Sequence, residues 1–290
     1  MMHDKCREMT RRLLRCFSSA VLSLTVALSF VAAVLLAGGC AQREWAFVHM
    51  TDTQIGFHDP SEGFLHSDTL MQRAVEAANA LAPDLVFITG DLVDDAASET
   101  QNAIFERNLA SLRAPVWYLP GNHDIRGFTP ERHDAYVALR GYDRFSFRHK
   151  GCAFIGIDTN CIKDGDAAAE AAQWDWLTEQ LRSARSTRYL FVFLHCPIIR
   201  ESIDEPEDYF NFSIPRRERY LRLFKDAGVD AVFAGHTHCP YQTEIDGIAF
   251  YTGTAVGNCL NHGRPGFNLV RITRKGLQVT SVPTTPNNSR

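Results

Sequence analysis

Apolar residues fall along this chain in short blocks, separated by longer stretches in which they recur at helical spacing. The block at 85–88 shows no alternation of hydrophobic and polar positions, as expected of a parallel strand covered on both faces. Similar blocks predict strands at 46–50, 116–119, 190–194 and 231–234, with a strand pair at 145–148 and 153–158 and a strand-rich stretch over 248–282. Helical spacing predicts helices over about 68–81, stopped by Pro83, and over 99–112, 168–184 and 215–227. Strands that alternate with helices indicate a layered α/β domain. Two sheets packed face to face with helices outside accommodate this order.

The strand ends carry the chemistry. The first strand runs into Asp52 and Gln54, the second into Gly90-Asp91-Leu92-Val93-Asp94, and the third into Gly121-Asn122-His123-Asp124. Two later strands end in His195 and in Gly235-His236-Thr237-His238. Ligand sites in open α/β sheets lie outside the carboxyl ends of strands. A single histidine there is more often structural than ligating. Five strand ends that each deliver carboxylate, amide or imidazole donors imply a metal centre.

In order and spacing, these segments resemble the motifs of calcineurin-like metallophosphoesterases: Asp-x-His, Gly-Asp-x-x-Asp, Gly-Asn-His-Asp, a lone His, and Gly-His-x-His. The resemblance covers almost the whole chain after the first 40 residues. It implies an α/β fold, a four-layer αββα sandwich of two mixed β-sheets flanked by helices. It also implies two divalent metal ions bridged by Asp91 and a water or hydroxide. One ion would take Asp52, Gln54, Asp91 and His238; the other would take Asp91, Asn122, His195 and His236. His123 would face the phosphoryl group and stabilise or protonate the leaving alkoxide, with Asp94 orienting it.

One position departs from the family pattern. Gln54 stands where histidine is usual, and a neutral carboxamide oxygen is a harder ligand than imidazole. The cofactors implied are Mn2+, Fe2+/Fe3+, Mg2+ or Zn2+, with the balance shifted away from zinc. The glutamine, with the Glu201–Glu205 and Asp208–Phe212 segments, resembles a serine/threonine phosphatase subgroup of the family. The expected activity is hydrolysis of a phosphate ester on a small-molecule or protein substrate, as a phosphomonoesterase. The alternatives are a phosphodiesterase and a catalytically silent protein that binds phosphorylated ligands. Substrate-contact candidates are Arg126, Arg200, Tyr209, Asn211 and Asn258, with His262 a further residue of the rim. Arg126 reads equally well as the partner of an acidic neighbour, and the acidic run 201–208 as a solvated loop face.

Composition narrows the partners. The 290 residues carry 30 Lys and Arg against 34 Asp and Glu, a formal charge of -4 with no basic footprint for nucleic acid. Residues 1–40 are a different material: basic residues from Lys5 to Arg15 precede an uncharged stretch over 17–37 that ends in Ala37-Gly38-Gly39-Cys40. This layout reads as a signal peptide with a bacterial lipobox, or as an uncleaved membrane anchor. Thr10-Arg11-Arg12 also resembles a twin-arginine export signal. Each reading places a domain over 45–283 outside the cytoplasm, at the cell envelope, with 284–290 as a frayed tail. Five cysteines fall in the domain. Cys196 and Cys239 each follow an expected ligand and are candidates for a disulfide in an oxidising compartment, with buried thiols as the default.

Overall fold

The computed structural model describes residues 44–260 and 263–285. The first 43 residues, and with them the expected leader, lie outside the described residues, as do His262 and the end of the tail. Among the described residues no helix is long and apolar enough to cross a membrane.

The elements follow the predicted alternation. Strand β1 (Trp45–Met50) leads through a 3-10 turn to α1 (Leu65–Leu81), β2 (Leu85–Thr89), α2 (Glu99–Leu109) and β3 (Val116–Leu119). Then come α3 (Asn122–Ile125), α4 (Pro130–Arg140), the hairpin β4 (Phe145–His149) and β5 (Cys152–Gly156), α5 (Asn160–Lys163) and α6 (Ala167–Ala184). The chain continues through β6 (Tyr189–Phe193), α7 (Ile214–Ala227), β7 (Ala231–Ala234), β8 (Tyr241–Ile245) and β9 (Ile248–Thr252). It ends with β10 (Gly266–Thr273) and β11 (Gly276–Pro283). One sheet has the order β11-β10-β1-β2-β3, the other β4-β5-β6-β7-β9-β8. Both are mixed: β1-β2-β3 and β5-β6-β7-β9 run parallel, and the remaining neighbours are antiparallel.

The unalternating strands divide by shape instead of polarity. Along β2, Val86 and Ile88 face outward into a cluster with Met71, Ala74 and Phe105 of α1 and α2. Leu85 and Phe87 face inward, between the sheets. On the second sheet Leu190, Val192 and Val232 meet Leu177, Leu181 and Phe224 of α6 and α7. Phe191, Phe193 and Phe233 point inward, where Phe87 stacks on Phe193 with ring centroids 4.1 Å apart. Aliphatic side chains thus bind helix to sheet and phenylalanines bind sheet to sheet. Three apolar layers result, and the expected four-layer αββα sandwich is the observed architecture.

Several boundaries differ from expectation. The helix expected to reach 112 ends at Leu109. Helix α4 was not anticipated, although Thr129 caps it by accepting from Arg132 N and Pro130 opens it; with only Tyr136 and Arg140 buried, its apolar face is too narrow to read as a helix. Strand β8 also escaped, because it is a half-exposed edge strand paired only with β9.

Candidate metal centre

The ends of β1, β2, β3, β6 and β7 converge, and backbone hydrogen bonds lace the loops that follow them. Asp52 N donates to Gly90 O (3.1 Å), Gln54 N to Asp91 O (2.8 Å) and Gly235 N to His195 O (2.9 Å). The approach is close: a Cβ on Gly235 would sit 1.7 Å from Thr51 Oγ1, so only glycine fits. Asp52, Gln54, Asp91, His236 and His238 all hold left-handed backbone, with φ between 35° and 71°. Each such residue stores on the order of 1–3 kcal/mol of strain, which the surrounding fold must hold in place.

Two groups of donors share one carboxylate. A donor atom from each of Asp91, His195 and His236 lies within 4.8 Å of the other two, and the same holds for Asp52, Asp91 and His238. All five side chains are buried. Asp91 Oδ2 lies 3.4 Å from His195 Nε2, and Asp52 Oδ1 lies 3.5 Å from His238 Nε2.

Backbone carbonyls fix the imidazoles. A carbonyl only accepts, so the ring nitrogen facing it carries the hydrogen. His195 Nδ1 donates to Thr89 O (2.8 Å), His238 Nδ1 to Asn258 O (2.7 Å) and His236 Nε2 to Tyr209 O (3.1 Å). In each ring the other nitrogen is left for the cluster, the arrangement that orients metal-binding histidines. Asn122 joins the group of Asp91, His195 and His236, its Oδ1 2.9 Å from His195 Nε2 and its amide donating to Tyr209 Oη (2.9 Å).

Gln54 supplies the fit test for a cation. Its side chain is buried, yet neither amide atom has a hydrogen-bond partner. A buried polar atom left unpaired costs about 1–3 kcal/mol. A cation beside Asp91 would take the amide oxygen, and the charge pattern favours cations too. Burial raises Asp52, with Asp91 adding to the rise. Burial also opposes charge on Asp91, but the His195, His123 and His236 imidazoles outweigh it and hold that carboxyl well below the usual range. Burial likewise works against charge on His195, and the Asp91 and Asp52 carboxylates overcome it, raising the ring to about 9. Burial, with His195 beside it, holds His236 down at about 3.

His123 stands at the edge of the cluster, its side chain 30% exposed, with Nδ1 3.0 Å from Asp94 Oδ1. Its backbone N donates to Asp91 Oδ1 (2.8 Å), which ties ring and cluster together. Tyr209 lies beside His236, its ring 4.7 Å from the imidazole.

The remaining candidates divide. Asn258 sits beside the cluster through its carbonyl on His238, and its side chain bridges His66 and Phe57 O. Arg126 adopts the reading of an acidic partner, pairing with Asp95 Oδ1 (3.4 Å) and donating to Asp94 O (3.1 Å). Arg200 and Asn211 are not brought into the cleft. Arg200 is tied to Asp208 (2.7 Å) and Glu205 (3.6 Å), and Asn211 is fully buried, donating to Glu205 and Pro206 O. In the acidic run 201–208, Glu205 and Asp208 fold the loop through Arg200, while Glu201, Asp204, Glu207 and Asp208 are exposed, as expected of a solvated loop face. Cys196 is a buried thiol near Pro197 O, and the Cys196–Cys239 disulfide is not formed.

Asp124 was missed as a site residue. Its carboxylate accepts from Gly121 N (2.8 Å) and Leu92 N (3.1 Å), which locks the loop carrying Asp91 to the loop carrying Asn122 and His123. Burial, with Asp91 adding, raises it to about 7. Its signal in the sequence was an acidic residue three positions after a glycine at a helix start, the second half of a capping box.

The family model for calcineurin-like phosphoesterase matches residues 46–240. The chain belongs to that family of dimetal phosphoesterases and is a metal-dependent phosphoric ester hydrolase by kinship. It is 30% identical over 265 residues to the serine/threonine-protein phosphatase CPPED1 of Danio rerio, covering 81% of this chain and 85% of that one. It is 23% identical over 235 residues to a 3',5'-cyclic-nucleotide phosphodiesterase of Nostoc, covering 78% and 84%. A solved dimetal phosphatase from Danio rerio superposes with a TM-score of 0.63 at 16% identity, over 83% of this chain and 99% of that one, and so shares its fold.

Proposed function

We propose that this chain is a phosphomonoesterase that holds two divalent cations, one on Asp52, Gln54, Asp91 and His238, the other on Asp91, Asn122, His195 and His236. The observation that carries this reading is the pair of buried donor groups with Asp91 in common. A shared carboxylate offsets the mutual repulsion of neighbouring cations. Bound cations would neutralise phosphoryl oxygens and activate a water for attack.

The chain's own residues do the rest. Asp94 Oδ1 accepts from His123 Nδ1 and fixes the orientation of the ring, whose protonated form acts as the acid. That leaves Nε2 to give a proton to the leaving alkoxide, the group that most needs one in ester hydrolysis. The Thr89, Asn258 and Tyr209 carbonyls keep three imidazoles in the tautomer that a cation requires. The Tyr209 ring, 4.7 Å from His236, and Phe57, edge-on to His123 at 5.9 Å, flank the approach.

Kinship to phosphatases of the CPPED1 type supports the monoester reading, and kinship to the cyclic-nucleotide enzyme supplies the alternative. Turnover of p-nitrophenyl phosphate against bis-p-nitrophenyl phosphate in Mn2+-supplemented protein decides between them. Faster monoester hydrolysis is expected; diester preference would move the chain to the phosphodiesterase branch. Binding of phosphorylated ligands with no turnover of either would mark a silent binding protein.

We also propose that residues 1–40 take the domain to the cell envelope, with Cys40 lipidated. The support is the basic, apolar and small-residue order of that segment. Incorporation of labelled palmitate, absent in Cys40→Ser, is the expected result.

A further inference from the structure

A second place in the fold gathers metal-binding donors outside this cleft. His133 on α4, Asp143 in the turn before β4, and Asp158 just past the end of β5 each place a donor atom within 4.8 Å of the other two. They line a cavity of about 270 Å³, together with Phe128, Cys161 and Gln173.

Asp158 is the telling residue. Its side chain is 1% exposed, and its two oxygens are treated differently. Oδ1 accepts from Asn160 N and Asn160 Nδ2, both at 2.7 Å. Oδ2 is buried without any partner. Gln173 clamps the backbone on both sides, accepting from Asp158 N (2.9 Å) and donating to Asp158 O (2.7 Å), so the carboxylate is held in place. A proton on Oδ2 would remove the charge and still leave an O–H without an acceptor. A cation answers both needs.

The charges already present do not fill that role. Without a cation, His133 Nε2 lies 3.1 Å from Asp143 Oδ2 and its Nδ1 3.5 Å from Asp134 Oδ1, so the ring pairs with these carboxylates and leaves Asp158 Oδ2 unanswered. Arg144 meets the far oxygen of Asp143 (3.1 Å) and lies over the Trp176 ring.

We propose that His133, Asp143 and Asp158 bind a third divalent cation, Mn2+ or Zn2+, which clamps α4 to the turn after β5. One imidazole with two carboxylates suits either ion. The site is separate from the paired clusters but mechanically linked to them. Thr159, next to Asp158, accepts through Oγ1 from Cys196 N (3.1 Å), beside His195. Occupancy therefore steadies the neighbouring strand end without touching the substrate.

The test loads the full chain, stripped of metal, with Mn2+ alone and with Zn2+ alone, then dialyses it and measures metal content. Three equivalents are expected with at least one of the ions. Asp158→Asn and Asp143→Asn should each bind two, keep p-nitrophenyl phosphate turnover, and lose part of the cation-dependent rise in Tm. If Asp158→Asn does not fold, His133→Gln, on a half-buried helix face, supplies the same readout. Two equivalents in the unaltered chain, three retained in the folded variants, or loss of all cations together in every variant would overturn the proposal.

Discussion

Replacing Gln54 with methionine should stabilise the metal-free chain and lose much of that gain when cation is bound. The side chain is 1% exposed and neither of its amide atoms has a partner within the protein. Methionine is of similar length and unbranched, so the backbone at φ 35° bears the same strain in both chains. In chelator, the exchange removes an unsatisfied amide and should stabilise by about 1–3 kcal/mol. For a domain of this size each kcal/mol moves Tm by roughly 2–4 °C, so a rise of several degrees is expected. In excess Mn2+ that gain shrinks. The variant loses an oxygen ligand, and a tenfold weaker Kd alone removes about 1.4 kcal/mol of binding free energy, which appears as a smaller cation-dependent rise in Tm. The assay is thermal unfolding of both proteins in chelator and across a Mn2+ titration. Equal shifts of the same sign in both conditions would refute the reasoning and make Gln54 a packing residue.

Three further outcomes follow from the same geometry. His123→Ala should keep both cations and slow ester hydrolysis by about 10²–10⁴-fold, and Asp94→Asn should act in the same direction; loss of metal in His123→Ala, measured by elemental analysis, would contradict the assignment. Metal loading should strengthen with pH. His195 is raised from 6.5 to about 9, so its proton competes with a cation below that range, and isothermal titration near neutral pH should show proton release. By the same linkage, the stability that protonated His195 gives the metal-free chain is full below about 6.5 and is lost as pH rises through about 9. Tyr209→Phe leaves the Asn122 amide without its acceptor and should weaken one cation by about 10-fold; an unchanged Mn2+ affinity would free Asn122 from this role.

The parts of the site that were legible in the sequence are those written in contiguous side chains. Asp91, His195 and His238 sit at the ends of apolar strands, so strand pattern and donor type pointed to the same place. The parts that were not legible are made of backbone or of distant pairings. No residue type announces that the Thr89, Asn258 and Tyr209 carbonyls will orient three histidines. Arg200 and Asn211 looked like cleft residues because they follow His195, yet their loop needs them to satisfy Glu205 and Asp208. The layered fold was readable from unalternating strands. The division of those strands into an aliphatic outer face and a phenylalanine inner face emerges only once both sheets are in place. Helix α4, with its two buried side chains, was invisible for the same reason that it matters: what anchors it lies elsewhere in the chain, including the Arg140–Glu106 pair and the His133–Asp143 pair.

The central claim is that Asp91 belongs to two cation sites at once. The most direct measurement is metal content by elemental analysis of Asp91→Asn beside the unaltered chain, with p-nitrophenyl phosphate turnover in the same samples. The account predicts that Asp91→Asn loses both cations of the shared cluster and all turnover. Retention of either cation in the folded variant, or turnover near that of the unaltered chain, would contradict it.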